Sequence, residues 1–527
     1  MAATEHYDGI IIGGGHNGLV CGAYLARSGK KILVLERREM LGGASVTEQI
    51  WPGYRINTAA HILSLMQPKI VLDLELQKFG YEVVPVPPGV HFVEGAGPVV
   101  LWKEQDRLCA ELARFSKRDA ETYPKFQAHL ARIAPIFRRM LWEIPLDPSD
   151  LNPGNLARLA GFAWRNRAAL RAFHDVTDLV SMSVSDYVGR WFDSDEVKVI
   201  AGYYPAGAAG QTMSIHTPGT AFLLLRNHLR DGPDPAGGTG LARGGMGMIS
   251  EAIAASGARF GLETRTGAEV SEVIVEKGRA TGVRLAGAGI IRARAVISNA
   301  PLQHLFADLV PQSAAPEAYR RSAAGIHGTV TNFKIHLAVD SPIPFAGLKE
   351  AGYTSGYPVQ ITLAPSLAYV ERAYTDMRSG RLSEHPYMTV QTPTVADSTL
   401  APPGKHIISI YGGHIPAGHE DEAARERLFE RVLDTIALHA AGFDRRWIHR
   451  QIMLPVDYAT TFRLPGGSPH HGDLTPDQLF FRRPVRGYAD YTTPVPGLFL
   501  CGASAHPGGG VTGVPGHNAA RVVKRYL

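Results

Sequence analysis

At 527 residues, with 45% apolar and 20% charged side chains, the chain is too long for one ordinary core and too apolar for a disordered or fibrous one, so two or three interleaved domains are expected. A balance of 54 basic against 49 acidic residues leaves +5, too mild and too scattered for nucleic acid, though compatible with an anionic substrate or a weak attraction to lipid. Cys21, Cys109 and Cys501 form no CxxC pair, which speaks against a disulfide framework, a zinc site and dithiol redox chemistry and favours buried thiols in a reducing compartment. The chain enters an apolar strand by Tyr7, and no run approaches the ~18 consecutive apolar residues of a membrane span. A soluble, cytoplasmic protein without a leader peptide is expected, with peripheral attachment to a membrane left open.

The first elements come from "YDGIIIGGGHNGLVCGAYLARSGKKILVLERREMLGGAS". The pattern predicts a strand over 9–12, a glycine turn, a small-residue helix to about Ser28 and a second strand over 31–35 that ends at Glu36. Gly13 permits the tight turn, Gly15 lets the backbone approach a pyrophosphate, and Gly18 lets helix and strand pack closely; Asn17 belongs to the same turn. The phosphates then rest on the exposed amides and positive dipole end of the helix. Glu36 is placed to accept from the ribose hydroxyls. Arg37 and Arg38 would suit a 2′-phosphate, but Glu36 would repel one. Gly42, Gly43 and Ala44 follow at once, and this glycine pair resembles that of two-dinucleotide-binding-domain flavoproteins, which favours FAD over NAD.

Residues 104–200 read mainly as helix, broken at "IPLDPSDLNPGN". The next stretch, "LARLAGFAWRNRAALRAF", is basic and amphipathic; the solvated face of a helical cap is the preferred reading and a membrane-surface helix the alternative. Over 201–225 small and aromatic residues suit a cavity wall, with Tyr203 and Tyr204 as lining or as core. Beyond the loop "DGPDPAGGTG" the pattern predicts a helix, a short strand, three alternating strands and a returning apolar strand at 295–297. This unit reconnects to the first sheet and offers the Val270 main chain to adenine. "TVTNFKIHLAVD" and "HIISIYG" read as strands of a second sheet separated by long loops. "GLFLCGAS" is a strand feeding a glycine turn, and "GHNAARVVKRYL" a final helix. The fold class expected is α/β: a Rossmann-type dinucleotide-binding domain made of 1–75, 240–310 and 485–527, with an α+β substrate domain, 76–239 and 311–484, inserted into it and carrying the helical cap.

With both glycine motifs in hand, the sequence resembles the phytoene-desaturase-like flavoproteins of the wider flavin amine oxidase superfamily, in the subgroup of the pyridine nucleotide-disulfide oxidoreductase domain-containing protein. The resembling segments include "IGGGHNGLVCGAYLARSG", "HILSLMQPKIVLDLELQKFG", "TTFRLPGGSPHHGDLTPDQLFFRRP" and "CGASAHPGGGVTGVPGHNAARV", and they run nearly end to end. The resemblance implies non-covalent FAD, with Gly502 and the amides of Val511, Thr512 and Gly513 stabilising charge on the reduced ring. Ala503 and Ser504 stand where many relatives carry an acid for the ribityl chain. Lys334 is similar in position to the lysine that reaches flavin N5 through a water in amine oxidases; an edge-strand lysine in solvent is the alternative. His471 and His61 are the first histidine candidates for catalysis, ahead of His216, His506, His414 and His419, and no metal-ligand cluster stands out. The activity expected is dehydrogenation of a C–C bond in a small apolar isoprenoid or alicyclic substrate by hydride transfer to N5, with oxygen or a quinone as acceptor. A C–N amine oxidase and a redox-neutral isomerase or regulatory flavoprotein are the alternatives, and the oligomeric state is open.

Overall fold

The computed structural model describes residues 5–167, 172–203, 213–230, 239–287, 289–328, 330–354 and 356–527. Tyr204 and most of the 231–240 loop lie outside the described residues. Within them the strands form two seven-stranded sheets and two short ribbons.

The first sheet is built from segments distant in sequence. His6–Ile12 lies at its centre, parallel to Ile32–Leu35 on one side and to Ile290–Ser298 on the other. Glu263–Arg265 extends one edge, and the hairpin Val270–Glu276 with Arg279–Leu285 extends the other. Ile10, Ile11, Leu33 and Val34 are fully buried, as expected for parallel strands covered on both faces. The sequence expectation of a third alternating strand and a separate strand at 295–297 is corrected here: Ile290–Ser298 is one nine-residue strand. Its first half pairs with Arg279–Leu285 and alternates between exposed and buried; its second half pairs with Leu498–Leu500 and is buried throughout. A change of neighbours midway therefore reads in sequence as a change of element.

Helix His16–Arg27 packs on this sheet between helices Gly247–Ala258 and Val514–Tyr526. Contact with the sheet is backbone to backbone at Gly18, where a Cβ would strike the Gly13 carbonyl. The same holds between the first and last helices: a Cβ at Gly516 would strike the Asn17 carbonyl. This fit also brings the Cys21 and Cys501 thiols into contact, both fully buried and free, with burial and the neighbouring thiol pushing Cys501 well up.

The second sheet runs in the order His449–Met453, Phe333–Val339, His406–Gly413, Tyr387–Gln391, Gln360–Leu363, Gly89–Val93 and Gly97–Leu101. Two of these were legible as strands; the others are short, and the segment expected as long loops between 340 and 406 also holds Gln360–Leu363, Tyr387–Gln391 and helix Leu367–Arg378. Side chains alternate between the faces. Phe333, Ile335, Leu337, Ile408 and Ile410 pack with Leu428, Phe429 and Val432 of helix Glu422–Ala437. Lys334, His336, Ser409, Tyr411 and Thr389 occupy the opposite face, a polar surface kept inside the protein.

The 104–200 region is mainly helical as expected, from Gln105–Leu112 through Lys117–Trp142, Pro153–Arg165, Phe173–Ser181 and Val184–Gly189 to Asp195–Tyr203. Ser116 caps the long helix by accepting from Asp119 N at 3.1 Å, and the buried Asp119 carboxylate accepts from Asp193 N and Ser194 N. Phe126, Leu130, Ile133 and Phe137 form a separate core with Tyr187, Phe192 and Leu225.

Candidate functional site

At the C-terminal ends of the central parallel strands a cleft opens. Its walls are made by the glycine turn, Glu36, Arg37, Ala44, Val270 and Ala503. The local chain explains its shape. Gly13 takes φ +97°, Gly42 and Gly43 also have positive φ, and Gly42 N donates to Gly14 O at 2.9 Å, so the second glycine pair folds back over the first turn. A Cβ at Gly15 would sit 2.7 Å from Asn299 Nδ2, and one at Gly43 3.1 Å from Gly15 Cα. The Glu36 carboxylate is buried and held by Gly14 N at 2.7 Å and Arg38 N at 2.9 Å, which leaves lone pairs for hydroxyl donors. Helix His16–Arg27 begins at Gly15 with no side-chain cap and no acid in its first turn, so its amides face the cleft as an anion site. Asn17 lies there with Oδ1 unpartnered, and Arg37 is held by a 2.5 Å bond from Nη2 to Thr461 O. A narrow cradle that side chains would fill, an uncapped helix start and a poised carboxylate fit a dinucleotide.

The C-terminal turn closes the far end. Gly502 passes so near Asn299 that a Cβ would lie 2.5 Å from its carbonyl. Ser504, standing where an acid was looked for, accepts from Leu302 N at 2.9 Å and lies 3.2 Å from His471 Nδ1. Val511 has φ +52°, Thr512 O accepts from Gln67 N at 3.3 Å, and Gly513 starts the final helix, again with no side-chain cap bond. Arg483, which sequence reasoning did not single out, is 3% exposed and anchors this turn: Nε and Nη2 donate to Ala503 O at 3.1 and 2.7 Å, and Nη1 to Asp473 O and Gln478 O. Its signal was the second arginine of "FFRRP".

The three residues first proposed for catalysis fall in two places. His471 lines the cleft with φ +57°; burial, aided by the charges of Arg483 and His16, pulls it down to about 3 and keeps it neutral. Lys334 and His61 come together on the polar face of the second sheet. Lys334 lies in an interior strand and is 1% exposed, so the alternative of an edge lysine in solvent is overturned by its two flanking strands. Its Nζ donates to Asn57 O at 2.5 Å and Ala59 O at 2.7 Å, and burial brings it from 10.5 to about 7. His61 is lowered to about 3 by burial and by Lys334, and its ring lies 5.4 Å from that of Tyr411, the cross-strand neighbour of Lys334.

Of the remaining histidines, His506 spans to the helical region, its Nε2 2.8 Å from Met140 O. With Asn518 Nδ2 to Leu141 O at 2.9 Å and Arg521 Nη1 to Trp142 O at 3.1 Å, it satisfies the last carbonyls of the long helix. His216 is exposed, His414 Nδ1 is 2.9 Å from Thr331 Oγ1, and His419 Nε2 is 3.2 Å from Gly380 O. Among the described residues no His, Cys, Asp and Glu cluster could hold a metal ion, and no helix is long and apolar enough to cross a membrane. A second cavity lies between the glycine turn and the helical region, walled by Phe137, Phe222, Phe480, Leu474, Gly508 and Thr512.

Residues 18–523 match the family described as flavin containing amine oxidoreductase. The chain is 33% identical over 546 residues to pyridine nucleotide-disulfide oxidoreductase domain-containing protein 2 of Rattus norvegicus, covering 99% of this chain and 94% of that one. It is 25% identical over 555 residues to a limonene dehydrogenase subunit of Castellaniella defragrans, covering 100% and 96%. An oxidoreductase of Methanosarcina mazei has the same fold, with TM-score 0.63 at 18% identity over 98% of this chain and 99% of that one. Together with a cleft that fits a dinucleotide, these likenesses place the chain in the flavin-containing amine oxidoreductase family, as an FAD-dependent oxidoreductase.

Proposed function

We propose that the protein dehydrogenates a C–C bond of a small apolar isoprenoid or alicyclic substrate. The observation that carries this reading is the mainly aromatic and aliphatic cavity set directly against the glycine turn. The likeness to the limonene dehydrogenase subunit supports it. The C–N alternative keeps the support of the family's name, but Arg226 on the cavity wall disfavours a protonated amine there. In the proposed assignment FAD is bound by Gly13, Gly15, Asn17, Gly18, Glu36, Arg37, Gly42, Gly43, Ala44 and Val270, with Gly502, Val511, Thr512 and Gly513 at its ring end. The sheets support a cofactor domain of 1–75, 240–310 and 485–527 and a substrate domain from the remainder.

Bound FAD would supply the hydride acceptor, with oxygen or a quinone as the final oxidant. The chain's own part concerns the second hydrogen, which leaves as a proton while the C=C bond forms. Lys334 is assigned as its acceptor through its likeness to the amine-oxidase lysine: in its neutral form it commits both N–H groups to the Asn57 and Ala59 carbonyls and keeps a lone pair, from the polar face of the second sheet rather than from the wall of the apolar cavity. Phe222 and Phe480 exclude water. His61 and His471, both held neutral far below their ordinary range, orient rather than donate. Helix Pro153–Arg165 is proposed as the face that meets a membrane from which such a substrate would come. Anaerobic mixing tests the reaction: isoprenoid or alicyclic hydrocarbons should bleach the flavin's visible absorbance. Bleaching by amines alone, or product formation without bleaching, would replace this reading with the C–N oxidase or the isomerase.

A further inference from the structure

Arg226 belongs to the short helix Thr220–His228 and reaches the wall of the apolar cavity. It is 6% exposed, and its Nη1 is closed off from solvent with no hydrogen-bond partner. Its guanidinium packs against the glycine turn so tightly that a Cβ at Gly510 would collide with Nη2. Beside it on the wall stands Gln67, fully buried, whose Nε2 donates to Leu65 O at 2.9 Å while Oε1 is unpartnered. A guanidinium always carries its charge, and burying one without a counter-charge is among the most expensive arrangements a protein can hold. Phe137, Phe222, Leu223, Leu229 and Leu479, which share the cavity, provide no anion.

We propose that Arg226 receives a carboxylate of the substrate, so that the molecule taken up is an apolar chain or ring with one anionic end. This rests on the reading of the cavity as the substrate's place and adds its polarity. A planar carboxylate matches the fork of a guanidinium and gains charge-assisted hydrogen bonds in a site from which water is excluded. The same arginine repels an ammonium group, and Gln67 Oε1 offers an acceptor for a protonated acid or hydroxyl beside it.

Farnesoate and methyl farnesoate, which share the isoprenoid chain and differ in charge and by the ester methyl, are the probes. Each is titrated into the FAD-loaded protein, and the shift of the flavin's visible spectrum gives its dissociation constant. The acid should bind at least roughly tenfold tighter than the ester. Arg226→Met should abolish that preference and leave ester affinity, FAD content and the ligand-free spectrum unchanged, while Arg226→Lys should keep part of it. The wild-type comparison holds even if the methionine variant fails to fold. Equal binding of acid and ester overturns the carboxylate site and leaves the apolar substrate standing; no spectral response to either overturns both. An altered ligand-free spectrum in folded, FAD-loaded Arg226→Met also overturns it, because the arginine would then serve the flavin.

Discussion

A lysine inside an apolar strand is ambiguous in sequence, and at Lys334 burial decides its chemistry. The cost of carrying a charge with 1% exposure lowers its affinity for a proton to about 7, so much of it is neutral at ordinary pH. Between about 7 and 10.5 the unfolded chain binds more protons at this site than the native one, so its contribution to stability rises with pH there and is least favourable below 7. Lys334→Met should therefore be more stable than wild type at pH values below about 7. As the proposed base, Lys334 should also give flavin reduction an acid limb near 7, and Lys334→Met should slow that step by roughly 10²–10³-fold and abolish the limb. Stopped-flow reduction across pH measures both, and an unchanged rate and profile would reject the assignment. His471 shows the opposite limit of sequence reading: its place in a shared motif was visible, but its partner Ser504 lies 33 positions away.

Elements whose hydrophobic period is long and regular were legible, and those completed by their neighbours were not. The glycine-turn helix and the helices of 104–200 have enough turns to show their faces. Tyr387–Gln391 has five residues, all buried, because strands flank it on both sides; no alternation remains to be read. Helix Pro153–Arg165 was legible as basic and amphipathic, yet only the structure shows that Leu156 and Trp164 face outward. Trp164 is 71% and Leu156 46% exposed, with Leu151 also exposed just before it. Arg158, Arg165 and Arg167 lie among them. Such a surface should partition to anionic vesicles, and replacing Leu156 and Trp164 with Glu should weaken that partition by about tenfold or more. Co-sedimentation checks this; equal recovery of the two proteins with the vesicles would remove the membrane assignment.

Across the molecule, the two ends of the chain are held together by an approach only glycine permits. Gly516 brings the last helix onto the Asn17 carbonyl of the first, and Asn17 lines the cleft. Gly516→Ala must push these helices apart, at a cost of about 1–3 kcal/mol. It should lower the melting temperature by several degrees and increase FAD loss on gel filtration, with excess FAD restoring part of the stability. Unaltered melting and retention would show that the helices yield without disturbing the cleft.

The dinucleotide fold and its cofactor follow from chain order alone, because a strand, a glycine turn, a helix and an acid are adjacent in the chain and their geometry is local. The closing glycine turn was legible in the same way. Folding was needed to bury Lys334 beside His61, to turn His471 toward the cleft with Ser504, and to leave Arg226 Nη1, among the described residues, without a hydrogen-bond partner in an apolar cavity. Those properties depend on what surrounds a side chain, and its neighbours come from segments that sequence order keeps far apart.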